Sequence, residues 1–72
     1  MDFPVEEIAN IFKTLSDPNR LRILKVLTLK CESVSKIVEL TGLSQPLVSH
    51  HLGVLRESGL ARAEREGTFN YY

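Results

Sequence analysis

The sequence has one cysteine among its 72 residues, no excess of either charge sign and no long apolar run. A single thiol, Cys31, excludes an internal disulfide and agrees with a reducing compartment. No stretch approaches the ~18 apolar residues of a membrane-spanning helix. The acidic start, Met1 to Glu7, has neither the basic nor the apolar region of a signal peptide, so the expected location is the cytoplasm, with no membrane partner. Nine basic residues balance nine acidic ones, whereas many nucleic-acid-binding domains carry a positive excess for counterion release. Net charge governs non-specific affinity more than fold, so the placement of the cations becomes the question.

What is present is the composition of a globular chain: 43% apolar and 25% charged residues exclude disorder and fibrous repeats. The length makes one domain, residues 1–72. A chain this short buries only about 60% of its unfolded surface, so a partner subunit is expected to add to the core. There are no internal repeats, linkers or low-complexity segments. No Ser/His/Asp set, Gly-rich phosphate loop or carboxylate pair is placed as catalysis requires, and so small a domain has little room for a water-excluding pocket. Neither an enzyme nor a cofactor is expected.

Residues 4 to 15 read as a first helix, with Pro4 near its start, Glu6 and Glu7 in the positive first turn, and a wide stripe of Val5, Ile8, Ile11, Phe12 and Leu15. Either part of that stripe faces another subunit or all of it packs internally. Asp17-Pro18 starts a second helix, Asp17 as N-cap, running to about Leu29. Its apolar residues lie on nearly every side, which predicts a beam surrounded by other helices. After a polar break at 30–32, Ser33 or Ser35 caps a short third helix through about Leu40, ended by Thr41-Gly42-Leu43. Ser44 caps a fourth helix from Gln45 to about Glu57, followed by Ser58-Gly59. Two helices joined by so short a Gly-containing turn are a helix-turn-helix.

From Leu60 the period changes from helical to alternating, predicting strands over Leu60–Arg65 and Thr68–Tyr72 with Glu66-Gly67 as the turn. An isolated hairpin is marginal in water, so this wing must lean on the helices through residues such as Leu60, Phe69 and Tyr71. The fold class predicted is mainly α with a small β-hairpin, a winged helix-turn-helix.

Placing successive residues 100° apart puts Val48, Leu52 and Leu55 on one buried side of the fourth helix and Pro46, His50, Gly53 and Glu57 opposite, flanked by Gln45 and Ser49. A recognition helix must offer hydrogen-bonding groups near its N-terminus, where it enters the major groove, and Gln45, Ser49 and His50 meet that need. Gly53 costs a helix roughly 1 kcal/mol relative to Ala. Close approach of a DNA backbone would account for it, and so would tolerance at a surface position. In the wing, Arg62 and Arg65 are placed to bond phosphates, with Thr68 and Asn70 as weaker contributors; Glu64 and Glu66 oppose them, as on any solvated hairpin.

The run Leu15-Ser16-Asp17-Pro18-Asn19-Arg20-Leu21-Arg22-Ile23-Leu24 resembles the opening of the second helix in ArsR/SmtB regulators. A second run, Leu43 to Leu52 followed by Val54 to Leu60, is similar to that family's recognition helix and entry to the wing. The resemblance implies a homodimer that binds palindromic double-stranded DNA and represses transcription until an unidentified effector binds. It implies DNA contacts by Gln45, Ser49, His50 and His51 on the fourth helix and by Arg62 and Arg65 in the wing; Ser44, Pro46 and Thr68 are expected to add to them. The helical period places His51 toward the buried side, to pack or orient. The dimer contacts expected are Val5, Ile8, Ile11 and Phe12.

The sequence departs from the family pattern in several places. The Cys-x-Cys pair of many metal sensors is replaced by Ser33-Val34-Ser35, and hydroxyls are poor ligands for soft metals. Cys31 alone cannot close a tetrahedral site, and the adjacent His50 and His51 diverge too far to grip one ion. No metal site is expected. Gly53 stands where a lysine is common, and the family's usual C-terminal helix would lie beyond Tyr72. The alternative function is a winged helix that docks another protein through its first helix, with DNA contact weak or lost.

Overall fold

A computed structural model describes residues 3–66 and 69–72. The elements run α1 (Val5–Leu15), α2 (Pro18–Leu27), α3 (Val34–Thr41), α4 (Gln45–Glu57), β1 (Glu64–Glu66) and β2 (Phe69–Tyr71), the order of a winged helix-turn-helix.

Helix starts follow from local capping chemistry. The Asp17 carboxylate accepts hydrogen bonds from the Asn19 and Arg20 N–H groups at 2.8 and 3.3 Å, and Pro18 occupies the first helical position, where its missing N–H costs nothing. Ser33, rather than Ser35, caps α3 by accepting from the Lys36 N–H at 3.2 Å. Ser44 accepts from the Leu47 N–H at 3.3 Å and caps α4. Between these two helices Gly42, at φ +73°, supplies the left-handed residue that stops α3 so abruptly.

The core is built where α2, α3 and α4 meet. Ile23, Ile37, Val48, Leu52 and Leu55 are fully buried, three of the five contributed by α4. Each such side chain stabilises the fold by about 1.5–3 kcal/mol on burial, which is modest support for a chain this long. Leu27, Val34, Leu43, Leu60 and Tyr72 pack around the rim.

One expectation about α2 is corrected. The helix ends at Leu27, not Leu29: the Thr28 hydroxyl donates back to the Lys25 carbonyl at 2.7 Å, the Leu29 N–H closes a tight turn on Val26, and Leu29 stands 85% exposed. α2 packs against α1, α3 and α4, as a central helix should, with Ile23 fully buried, Leu24, Val26 and Leu27 at the edge of the core and only Leu21 of its apolar side chains facing solvent.

The wing is shorter than the alternation suggested. Residues 60–63 are not strand: the Leu60 and Ala61 N–H groups both bond the Leu55 carbonyl, closing the end of α4, with Gly59 at φ +77°. β1 and β2 pair antiparallel with Glu64 opposite Tyr71 and Glu66 opposite Phe69, so Glu66 lies in the strand rather than the turn. The expected 30–32 break has a structural use, because Glu32 and Tyr72 exchange both backbone hydrogen bonds at 2.9 Å and stitch the returning strand to the α2–α3 connection. Leu60 leans on the core as expected, whereas the side chains of Phe69 and Tyr71 lie outside the described set.

Candidate nucleic-acid interface

The N-terminal half of α4 is anchored from below. Val48, Leu52 and Leu55 point into the core, which leaves the opposite face to solvent. Ser44, Gln45, Pro46, Ser49 and His50 are all exposed there, as the 100° rule requires. The Ser44 oxygen is used as acceptor by the cap, but its O–H remains a donor. Of the first-turn N–H groups that of Gln45 is left for a ligand, since Pro46 has none and Ser44 takes that of Leu47, and the positive end of the helix dipole points the same way and favours an anion. A β-carbon added at Gly53 would meet nothing within 4 Å, so no part of the protein demands glycine there.

His51 is placed differently. It is 4% exposed and turned inward, while the neighbouring His50 ring, 5.3 Å away and tilted 57° from it, stays outside. The His51 Nδ1 accepts a hydrogen bond from the Arg20 Nε at 3.1 Å, and an Arg20 Nη1 donates to the Thr14 carbonyl at 3.4 Å. The Thr14 hydroxyl in turn meets the Ser58 hydroxyl at 3.3 Å, and Ser58 donates to the Val54 carbonyl at 2.9 Å. Burial holds the His51 imidazole below its ordinary value; the Asp17 carboxylate works against this, and the Arg20 and His50 charges add to it. Partial desolvation raises Asp17, but the Asn19 and Arg20 N–H bonds and the His51 and Arg20 charges outweigh it and leave the carboxyl below its usual range. His51 is thus removed from the groove-facing set, for the reason its helical position already hinted.

In the wing, Arg62 extends into solvent with its side chain 86% exposed, where it pairs with the Glu64 carboxylate at 3.3 Å. The Arg65 backbone lies in β1, opposite Asn70; its side chain, and Thr68 entirely, lie outside the described residues. On the far side of the domain, α1 buries only Thr14. Val5 and Phe12 are 62% and 66% exposed and Ile8 and Ile11 half-buried, so internal packing does not consume the apolar stripe.

Among the described residues no three His, Cys, Asp or Glu side chains converge as metal ligands, and Cys31 is an exposed free thiol. Among the described residues no helix is long and apolar enough to cross a membrane. The residue that sequence reasoning missed is Arg20. Nothing in its spacing pointed to His51, 31 positions away.

Comparison with known proteins agrees with this geometry. The profile of the bacterial regulatory proteins of the arsR family matches residues 17–63. An uncharacterised HTH-type transcriptional regulator of Methanocaldococcus jannaschii is 44% identical over 68 residues, covering 93% of this chain and 76% of that protein. The transcriptional repressor SdpR of Bacillus subtilis is 38% identical over 88% of this chain and 70% of its own length. For the biofilm growth-associated repressor of Xylella fastidiosa the identity is 42%, and the chain spans 57% of that protein. Among solved structures, the homodimeric winged helix-turn-helix DNA-binding domain of a possible ArsR-family regulator from Mycobacterium bovis superposes with a TM-score of 0.89 at 35% identity, over 94% of this chain and 63% of that one. The Xylella repressor BigR gives 0.86 at 40% identity, over 94% and 69%.

Proposed function

The chain belongs to the arsR family of bacterial regulatory proteins, and from that membership we propose that it is a sequence-specific DNA-binding transcription regulator acting as a homodimeric repressor. The observation that carries this reading is the free outer face of α4: Gln45, Ser49 and His50 exposed over a helix held rigid by three fully buried residues. In the major groove, Gln45 pairs its amide with an adenine edge, while Ser49 and His50 serve bases or phosphates. Ser44, Pro46 and the α4 N-terminus lie against the flanking phosphates. Arg62 reaches the backbone beside the wing once it leaves Glu64, and Arg65 and Thr68 continue that contact. Val5, Ile8, Ile11 and Phe12 form the contact between two copies. The names of the Bacillus and Xylella relatives as repressors, and the homodimeric Mycobacterium domain, support repression and pairing over the alternative of a protein-docking module.

Fluorescence anisotropy on duplexes selected from a random library tests the proposal. A preferred two-fold site and a steep loss of affinity with salt are expected. Equal binding to selected and scrambled duplexes at low salt would reject sequence-specific reading.

A further inference from the structure

The Arg20 guanidinium is half-buried between helices, and among the described residues no carboxylate lies within ion-pair distance of it. Its hydrogen bonds go instead to two neutral acceptors, the His51 Nδ1 and the Thr14 carbonyl. Arginine only donates, so the acceptor nitrogen of His51 carries no proton and the ring proton sits on Nε2. A second proton on this ring would set N–H against N–H at 3.1 Å and a cation against a cation. The contact joins α2 to α4 at the residue next to His50, and the Thr14–Ser58 bond fixes the same three-helix junction from the α1 side.

We propose that Arg20 and His51 are positioning residues of the reading helix: the guanidinium clamps the uncharged imidazole and sets the seat of α4, and acidification releases the clamp and weakens DNA binding. The inference rests on the DNA-reading function proposed above. The charged and titratable groups facing the ring are Arg20 and Asp17 from the α2 side and His50 on α4 itself. Around the outer side of Arg20, a recess of about 550 Å³ brings Glu7 and Lys13 of α1 and Glu57 of α4. Asp17 keeps its charge through mild acidification, because its own carboxyl is held below the ordinary 3.8. The sign of the effect identifies its source. Added positive charge on the exposed surface tightens the hold on a polyanion. Release of the Arg20–His51 contact loosens it instead.

Two measurements test the clamp. Nitrogen-15 NMR of the free protein is expected to show His51 as the Nε2–H tautomer at about pH 7.5, titrating below the ordinary histidine value of about 6.5. Anisotropy at constant salt is expected to show Kd rising at least about threefold between about pH 7.5 and the pH at which the nitrogen-15 titration finds His51 protonated, with far-ultraviolet circular dichroism unchanged. His51→Asn keeps an acceptor near the Nδ1 position but cannot titrate, and its affinity should stay flat across that range. An Nδ1–H tautomer, a wild-type affinity that holds or rises on acidification, or a His51→Asn protein that loses affinity as the wild type does would each overturn the proposal. If no duplex binds at any pH, the proposed function fails while the tautomer still decides whether the clamp exists. Should His51→Asn not fold, the wild-type tautomer and pH profile decide.

Discussion

At Gln45 the side chain leaves the first turn of α4 with both an amide donor and a carbonyl acceptor, the pair that matches an adenine edge. Gln45→Ala is therefore expected to cost about 1–3 kcal/mol on the preferred duplex and little on a scrambled one. Matched anisotropy titrations check this, and equal losses on the two duplexes would remove Gln45 from the base-reading set. Arg62→Ala should instead weaken all duplexes alike and reduce the salt slope by about one, the signature of a phosphate contact. Proton linkage adds a stability prediction. His51 and Asp17 both have folded values below their unfolded ones, so the unfolded chain binds more protons. The His51 contribution is complete above its ordinary 6.5 and is lost as pH falls toward its folded value; the Asp17 contribution is lost below 3.8. Urea midpoints measured against pH should fall in those two steps, and a level profile through the first would contradict the buried neutral imidazole. The outward residues of α4 were legible because the helical period alone separates Gln45 and His50 from Leu52. Arg20 was not, because a polar contact across 31 positions leaves no local pattern.

Helix boundaries show the same division between local and distant causes. Asp17-Pro18, Ser44 and Gly42 announce themselves because a cap is made by atoms two or three residues away. The Glu32–Tyr72 pairing depends on what packs alongside, and a one-dimensional pattern of apolar residues does not carry that. Two substitutions separate capping from packing. Asp17→Ala removes the acceptor for the Asn19 and Arg20 N–H groups and should cost about 1 kcal/mol, seen as a lower urea midpoint with an unchanged slope. Gly53→Ala should stabilise α4 by up to about 1 kcal/mol, since the added carbon meets nothing and the unfolded chain loses freedom. Its effect on DNA binding discriminates between the two readings of Gly53. A more stable protein that binds its duplex more weakly means the glycine admits the DNA backbone closely; undiminished affinity means that it is merely tolerated.

For the whole molecule, zero net charge and a small core raise the same question of a second subunit. Attraction to phosphate cannot come from the sum of nine cations and nine anions, so it must come from their placement and from doubling the interface. A five-residue core beside an α1 that leaves Val5 and Phe12 in solvent has apolar surface to spare, and a two-fold contact through that face would bury it. Pairing would also set two α4 helices about one DNA turn apart, roughly 34 Å, which a palindromic site requires. Phe12→Glu tests the link between these statements, because the side chain is too exposed for the change to damage the monomer's own core. Sedimentation equilibrium should show the wild type as a dimer and Phe12→Glu as a monomer with the same helical content. Affinity for the two-fold duplex should then fall to that for a single half-site, while half-site binding stays as it was. A variant that remains dimeric, or one that loses half-site binding as well, would show that α1 is not the surface through which the copies meet.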